Sequence, residues 1–250
     1  MRTTLGISQT SLKGLQNHLD RVANNVANVN TEGFKKKESS FQTLLQNDIR
    51  PNQVGLGQNA QNLAINRGLK VNQQSVDFSQ GALAESNNGT DLALTGPGFF
   101  GVRDNNQQLF LTRDGRFHVD SAGVFRNSEG LVLEIEKSLP ENQWPQGIPQ
   151  VSETGEVRIA NQVVGRIPIF DVNNHNQLSA VGENRYQLRA GAALEQNRTT
   201  QMIQGFTEGS NVDIAESMTD MIITQRSYSM NAKVLQATDE MMQRINEFKQ

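Results

Sequence analysis

The sequence predicts an α+β chain, with two long terminal helices that pair in coiled-coil fashion around a central all-β, barrel-like or sandwich-like domain. Three observations carry this expectation. Apolar residues recur at alternating spacings of three and four at both ends, the signature of a narrow helical seam. Neither Pro nor Gly interrupts the chain from Asn211 onward, so nothing breaks a helix there. In the middle the helical period gives way to short apolar runs separated by turn residues, which is how antiparallel strands read.

The N-terminal seam comprises Leu5, Ser8, Leu12, Leu15, Leu19, Val22, Val26 and Val29. Roughly 28 residues at about 1.5 Å each give a rod of about 40 Å. Asn30, Thr31, Glu32 and Gly33 then supply the stop, with Gly33 suited to the exit turn. At the other end Ser210, Asn211 and Asp213 provide N-cap chemistry, and Glu216 follows in the first turn, where a negative charge is favourable. Ile214, Met218, Met221, Gln225, Tyr228, Ala232 and Leu235 keep the 4–3 spacing, and Met242 rejoins it.

Residues 34–90 are polar, with turn signals at Arg50-Pro51-Asn52 and Gly55-Leu56-Gly57, and are expected to be extended with little core. From Asp91 strands are expected at Leu92–Thr95, Phe99–Val102, Leu109–Thr112 and Arg116–Val119. Further strands follow at Leu131–Glu136, Glu156–Ala160, Gln162–Phe170 and Arg185–Arg189. Asp114-Gly115 between two of them reads as a hairpin turn. The expected organisation is an axial part from residues 1–32 and 206–250, a connecting region 33–90 and a β-rich part 91–205.

Composition narrows the function. Aromatic residues make up 6 % and apolar residues 36 % of the 250, low for an enzyme of this length with one dry core. A net charge of −3 leaves no basic footprint for nucleic acid or an anionic membrane. The absence of cysteine removes disulfides, thiolate metal sites and cysteine nucleophiles together. The first twenty residues lack an apolar signal core and cleavage site, and no apolar run approaches a membrane span. Direct membrane insertion is therefore not expected.

No constellation for chemistry emerges. His18, His118 and His175 are scattered, without metal-ligand spacing, and structural roles are expected for each. Gly96-Pro97-Gly98 lacks the Lys-Ser/Thr ending of a phosphate loop and reads as a turn. Asp171-Val172-Asn173 opens like a calcium loop, but Asn176 and Gly182 stand where that loop needs Gly and Glu. Acidic pairs such as Asp104 with Asp114, or Glu153 with Glu156, read as solvated carboxylates. No catalytic residue, cofactor or metal is expected.

Each seam alone is compatible with the buried face of an ordinary helix. Placement at the two ends favours self-assembly, because a lone helix pair leaves apolar edges uncovered. Four strings then resemble a known family. Asn24-Asn25-Val26-Ala27-Asn28-Val29-Asn30-Thr31-Glu32-Gly33-Phe34-Lys35 resembles the N-terminal signature of flagellar rod and hook proteins. Asp91-Leu92-Ala93-Leu94-Thr95-Gly96-Pro97-Gly98-Phe99-Phe100 is similar to a central segment of that family. So is Thr112-Arg113-Asp114-Gly115-Arg116-Phe117, followed by Asp120 and Gly123. Glu208-Gly209-Ser210-Asn211-Val212, leading to Met221 through Tyr228 and then Asn231-Ala232-Lys233, is similar to its C-terminal signature.

The resemblance implies a structural subunit of the basal-body rod, exported without a cleaved signal peptide through the flagellar type III apparatus. Its partners would be copies of itself, other rod proteins, the hook protein and that export apparatus. Length and layout imply a rod subunit, distal by preference, with a proximal paralogue as the alternative. A secreted β-rich binding module is the alternative of another class. The expected assembly surface comprises Leu5, Leu12, Leu15, Leu19, Val22, Asn24, Asn25, Val26, Asn28 and Val29 at one end. At the other it comprises Ile214, Met218, Met221, Gln225, Arg226, Tyr228, Ala232, Leu235 and Met242.

Overall fold

The computed structural model describes residues 2–38, 41–46, 65–71, 75–120, 123–140, 143–189 and 191–248. For residues 2–5, 7, 41–46, 65–71 and 246 it describes the backbone alone. The side chain of Leu5, the turn signals between residues 50 and 57, and Ser121-Ala122 lie outside the described residues. The chain divides into two units, one of residues 1–26, 37–75 and 213–250, the other of residues 27–36 and 76–212.

The first unit contains both long helices. Helix α1 runs Arg2–Ala27, about 39 Å at the standard rise. Helix α2 runs Ile214–Glu247, about 50 Å. Asp213 caps α2 as its sequence position suggests: Oδ1 accepts from the backbone N of Ala215 at 2.8 Å and of Glu216 at 3.0 Å. Two of the orphan donors at the helix start are thereby satisfied. The same unit holds an antiparallel pair, Phe41–Gln46 with Ile65–Val71, in register from Phe41 opposite Val71 to Gln46 opposite Ile65.

The second unit is built from antiparallel strands. Its larger sheet runs, from edge to edge, Leu178–Gly182, Arg185–Leu188, Leu109–Thr112, Phe99–Arg103, Val132–Leu133, Phe125–Arg126 and His118–Val119. Ile169–Asp171 also pairs with Phe99–Arg103. A four-stranded sheet runs Glu136–Lys137, Gln162–Arg166, Glu156–Ile159 and Gln150–Val151. Two further pairs bring late segments onto early ones: Gln201–Gln204 on Leu92–Thr95, and Phe206–Glu208 on Leu83–Glu85.

Strand alternation explains the two cores. Phe100, Val102 and Phe110 enter the main core with Leu92, Leu94, Phe117, Phe125, Val157, Val164 and Met202. Their neighbours Phe99 and Leu111 face the other way, into a smaller cluster with Val172, Leu178 and Tyr186. A strand apolar on both faces is buried on both faces, so Phe99-Phe100-Gly101-Val102 reads as one continuous run.

Asp114-Gly115 is not the hairpin turn the sequence suggested. Leu109–Thr112 pairs with Phe99–Arg103 and Arg185–Leu188, while His118–Val119 pairs with Phe125–Arg126. Neither Asp114 nor Gly115 has the positive φ that the two-residue hairpin turn demands. Asp114 instead forms a side-chain turn, its Oδ1 accepting from Arg116 N at 3.1 Å. Gly115 serves close approach. Its carbonyl accepts from Leu92 N at 2.9 Å, and a Cβ there would stand 1.6 Å from the Leu92 oxygen. The strand expected over Gln162–Phe170 breaks between Arg166 and Ile169, at Pro168, which has no N–H to donate.

Candidate assembly surface and buried hub

The N-terminal seam lies on the covered side of α1. Leu12, Leu15, Leu19, Val26 and Val29 are half-buried and Val22 is buried. Asn25 is buried too, and it clamps one residue of its own chain. Its Oδ1 accepts from Lys37 N at 2.9 Å, and its Nδ2 donates to Lys37 O at 3.0 Å. Asn24 is exposed. Asn28 holds the exit turn, its Oδ1 accepting from Thr31 Oγ1 at 3.2 Å.

Helix α2 is organised differently from the reading of its spacing. Its covered line passes through Ser217, Asp220, Met221, Thr224, Ser227, Asn231, Leu235, Thr238 and Met242. Ser217 and Thr224 are its most buried members, and His18 Nε2 meets Asp220 Oδ2 at 2.9 Å. Of the expected seam, Met221, Ala232, Leu235 and Met242 are half-buried, whereas Ile214, Met218, Gln225 and Tyr228 are exposed, as is Arg226. The covered side mixes small polar residues with Met221, Leu235 and Met242, and most of the large apolar side chains face outward.

Those exposed residues are ordered. Ile223, Met230, Val234, Met241, Ile245 and Phe248 are all exposed large hydrophobics at spacings of seven, four, seven, four and three. On a helix this spacing keeps them on one face, in the pattern of a second coiled-coil seam. Ile214, Met218 and Ile222, likewise exposed, form a shorter row of i, i+4 neighbours near the start of the helix.

Within the second unit, three charged side chains from distant strings meet out of solvent. Lys35 Nζ donates to Glu208 Oε1 at 2.6 Å, and Arg113 donates to Glu208 Oε2 at 3.0 Å; the side chains are 0 %, 1 % and 2 % exposed for Lys35, Glu208 and Arg113. Lys35 also donates to Ser79 O at 2.7 Å and Arg113 to Gly96 O at 2.7 Å. Burial pulls the Lys35 ammonium below its ordinary range, opposed by the pull of Glu208 and reinforced by Arg113. Glu208 binds backbone as well: Oε1 accepts from Gly81 N at 2.9 Å, and its carbonyl accepts from Gly33 N at 2.7 Å. Asn211 completes the hub. Its Oδ1 accepts from Lys36 N at 2.7 Å, and its Nδ2 donates to Asp77 O and Ser79 O at 2.9 and 3.2 Å. Gly33 has the left-handed φ of +68° that its place in the exit turn demands.

Among the described residues no group of His, Asp and Glu is arranged to hold a metal. His118 is exposed on a strand, and His175 lies over Phe78 with ring centroids 4.9 Å apart. A groove of about 440 Å³ runs past Arg103, Arg126, Glu134, Lys137 and Trp144. Both its arginines are paired, Arg103 with Glu134 and Arg126 with Asp120. No described helix is long and apolar enough to cross a membrane.

A long helix with an outward apolar row and a buried hub tying four remote strings together fit a structural subunit of an assembly. Comparison with known proteins identifies the assembly. Three family models match in chain order: the flagella basal body rod protein over residues 5–35, the flagellar hook protein FlgE/F/G D1 domain over 93–159, and the flagellar basal body rod FlgEFG protein C-terminal over 203–248. The flagellar basal-body rod protein FlgG of Buchnera aphidicola (from Schizaphis graminum) is 31 % identical, over 99 % of this chain and 100 % of the relative. The FlgG of Borreliella burgdorferi is 32 % identical, over 100 % and 99 % respectively. The flagellar hook-basal body complex protein FlhP of Bacillus subtilis is 28 % identical, over 96 % of each. The chain belongs to the flagellar basal-body rod protein family.

Sequence reasoning missed the hub. Lys35, Arg113 and Glu208 each stand inside a string that carries the family resemblance, and that was the available signal.

Proposed function

We propose that this chain is a structural subunit of the bacterial flagellar rod, most similar to its distal segment, polymerising helically into a torque-transmitting shaft around an export channel. The single observation that carries the reading is the outward apolar seam of α2, from Ile223 to Phe248. A soluble single chain has no use for such a face, and neighbouring copies of the same helix pair would cover it. The assembly surface then comprises Leu5, Leu12, Leu15, Leu19, Val22, Asn24, Asn25, Val26, Asn28 and Val29 with Ile214, Met218, Met221, Gln225, Arg226, Tyr228, Ala232, Leu235 and Met242. To these the outward seam is added.

In this reading the terminal helices pair as a coiled coil in the inner layer, and the antiparallel sheets form a sandwich-like outer layer. The axial part is residues 1–32 and 206–250, joined through 33–90 to the β-rich part. The subunit contacts other rod proteins and the hook protein, is delivered by the flagellar export apparatus without a cleaved signal peptide, carries no cofactor and catalyses no reaction. The likeness to FlhP supports a rod paralogue as the second reading.

Mass spectrometry of purified hook–basal bodies from the source cell tests it. Recovery of the chain in multiple copies per particle is the expected result. Its consistent absence from intact particles, with the protein free or on the cell surface, would refute it.

A further inference from the structure

We infer that Glu208 is the closing latch of the β-rich unit, which reaches its native fold only when the last segment of that unit inserts one carboxylate between two buried cations. The inference is independent of the rod reading.

The geometry sets up the problem first. Lys35 and Arg113 come from segments far apart in the chain, and both side chains are sealed from water. Apart from Glu208, the hydrogen-bond acceptors described for them are backbone carbonyls, those of Ser79 and Gly96. Asp77 also acts on Lys35 electrostatically, more weakly than Glu208 or Arg113, and makes no ion pair with it: its carboxylate oxygens accept from Ser79 N and Oγ, at 2.9 Å each. Carbonyl dipoles do not neutralise two buried charges, and burying unpaired cations is strongly unfavourable. Before residue 208 arrives, the pocket therefore has to stay open to water.

Chain order makes the latch late. Gln201–Gln204 and Phe206–Glu208 add to strands Leu92–Thr95 and Leu83–Glu85 that precede them by more than a hundred residues. A chain made or moved from its N-terminus presents this segment last. When it docks, Glu208 makes its contacts together: Lys35, Arg113, Gly81 N and, through its carbonyl, Gly33 N. Asn211 follows three residues later and ties Lys36, Asp77 and Ser79. One short segment thus closes the unit at both ends of its sequence, and an incomplete chain cannot mimic it.

The test uses full-length chains, with unfolding followed by the single tryptophan, Trp144, which packs against the main core. Glu208→Gln keeps the shape and removes the one carboxylate paired with both cations. Because a latch closes after the transition state, it should accelerate unfolding at least about 100-fold while refolding stays within about threefold. The double variant Lys35→Met/Glu208→Gln has the same net charge in the hub as the natural chain. Arg113 stays unpaired in it, so it should unfold faster than the natural chain but at least about tenfold more slowly than Glu208→Gln. If Glu208→Gln fails to fold while the double variant folds, the latch stands. The inference is overturned by unchanged unfolding in Glu208→Gln, by slowed refolding with unchanged unfolding, or by a double variant no better than the single one.

Discussion

Replacing Met230 and Val234 together by Ser should leave the single chain intact and cripple its polymerisation. Both sit on the outward seam of α2, 62 % and 55 % exposed, so neither contributes much to the unit that bears it. Exposed substitutions of this kind change stability by about 0.5 kcal/mol or less, and Ser in a helix costs a few tenths more than Met. In a polymer that covers the seam, each residue would lose its remaining exposed area. Full burial of such side chains stabilises by about 2 kcal/mol, so the remaining fraction is worth about 1 kcal/mol each. The pair then contributes about 2 kcal/mol to every subunit added, a factor of about 30 in the concentration needed to polymerise.

Sedimentation of subunits over a concentration series measures that factor directly. Far-UV circular dichroism of the unassembled protein checks that the helices persist. Gln236→Ser serves as the control, an exposed polar position on the same helix but away from the seam. The expected outcome is a rise of about 30-fold in critical concentration for the double variant, none for the control, and loss of swimming in cells carrying only the double variant. Polymerisation at the natural concentration with normal swimming would refute the argument that the outward seam is an interface. An equal defect in Gln236→Ser would refute it as well.

Three further outcomes follow from the described contacts. Asn25→Ala removes the buried side chain that clamps Lys37 N and O, and should cost about 1–3 kcal/mol in urea unfolding, with the Lys37 amide exchanging faster; an unchanged amide would refute the clamp. Gly33→Ala places a Cβ 2.4 Å from Asp114 N at a φ of +68°, and should cost about 3 kcal/mol or more; a Trp144-monitored unfolding midpoint within about 1 kcal/mol of the natural chain would contradict it. Burial raises the Tyr186 phenol above its ordinary pKa, so the unfolded chain releases this proton first and stability falls as pH climbs past about 10. Relative to Tyr186→Phe, the natural chain should lose about 1.4 kcal/mol per pH unit above that point, and parallel stability curves for the two would rule the burial effect out.

The terminal helices were legible because periodicity, capping and the lack of breakers agree there. Asp213 caps where its position implied, whereas α1 ends at Ala27, two residues short of Val29, where the seam was expected to run. The phase of α2 was not legible. Its apolar residues fit two stripes of similar spacing, and the covered line contains Ser217, Thr224 and Asn231, which no hydrophobic pattern reveals. The polar stretch before residue 91 read as having little core. Yet Ser79 and Gly81 in it supply main-chain partners to the hub, a role that no side-chain pattern announces. Asp114-Gly115 misled because Gly has two uses, left-handed φ and close approach, and the sequence does not separate them.

The hub also explains what kind of strings these are. A motif that does chemistry has to present a charged group to a substrate, and such a group needs an opening. Here Lys35, Arg113 and Glu208 are closed off from solvent, and Asn211 of the C-terminal string is bonded to the main chain of Lys36, Asp77 and Ser79. Each string hands the others a partner that its own segment lacks: a cation from residues 27–36, a second from the Thr112–Phe117 string, a carbonyl from Gly96 in the Asp91–Phe100 string, and the anion from residue 208. Remove one and the rest are left with buried, unpaired polarity, the costliest kind of defect in a protein interior. The strings thus belong together for folding reasons, while the proposed face for neighbouring copies is the apolar seam of α2. For a subunit whose work is to be held by its neighbours, that division of labour is the one physics favours: charges locked inside to fix the shape, and apolar surface left outside to bind.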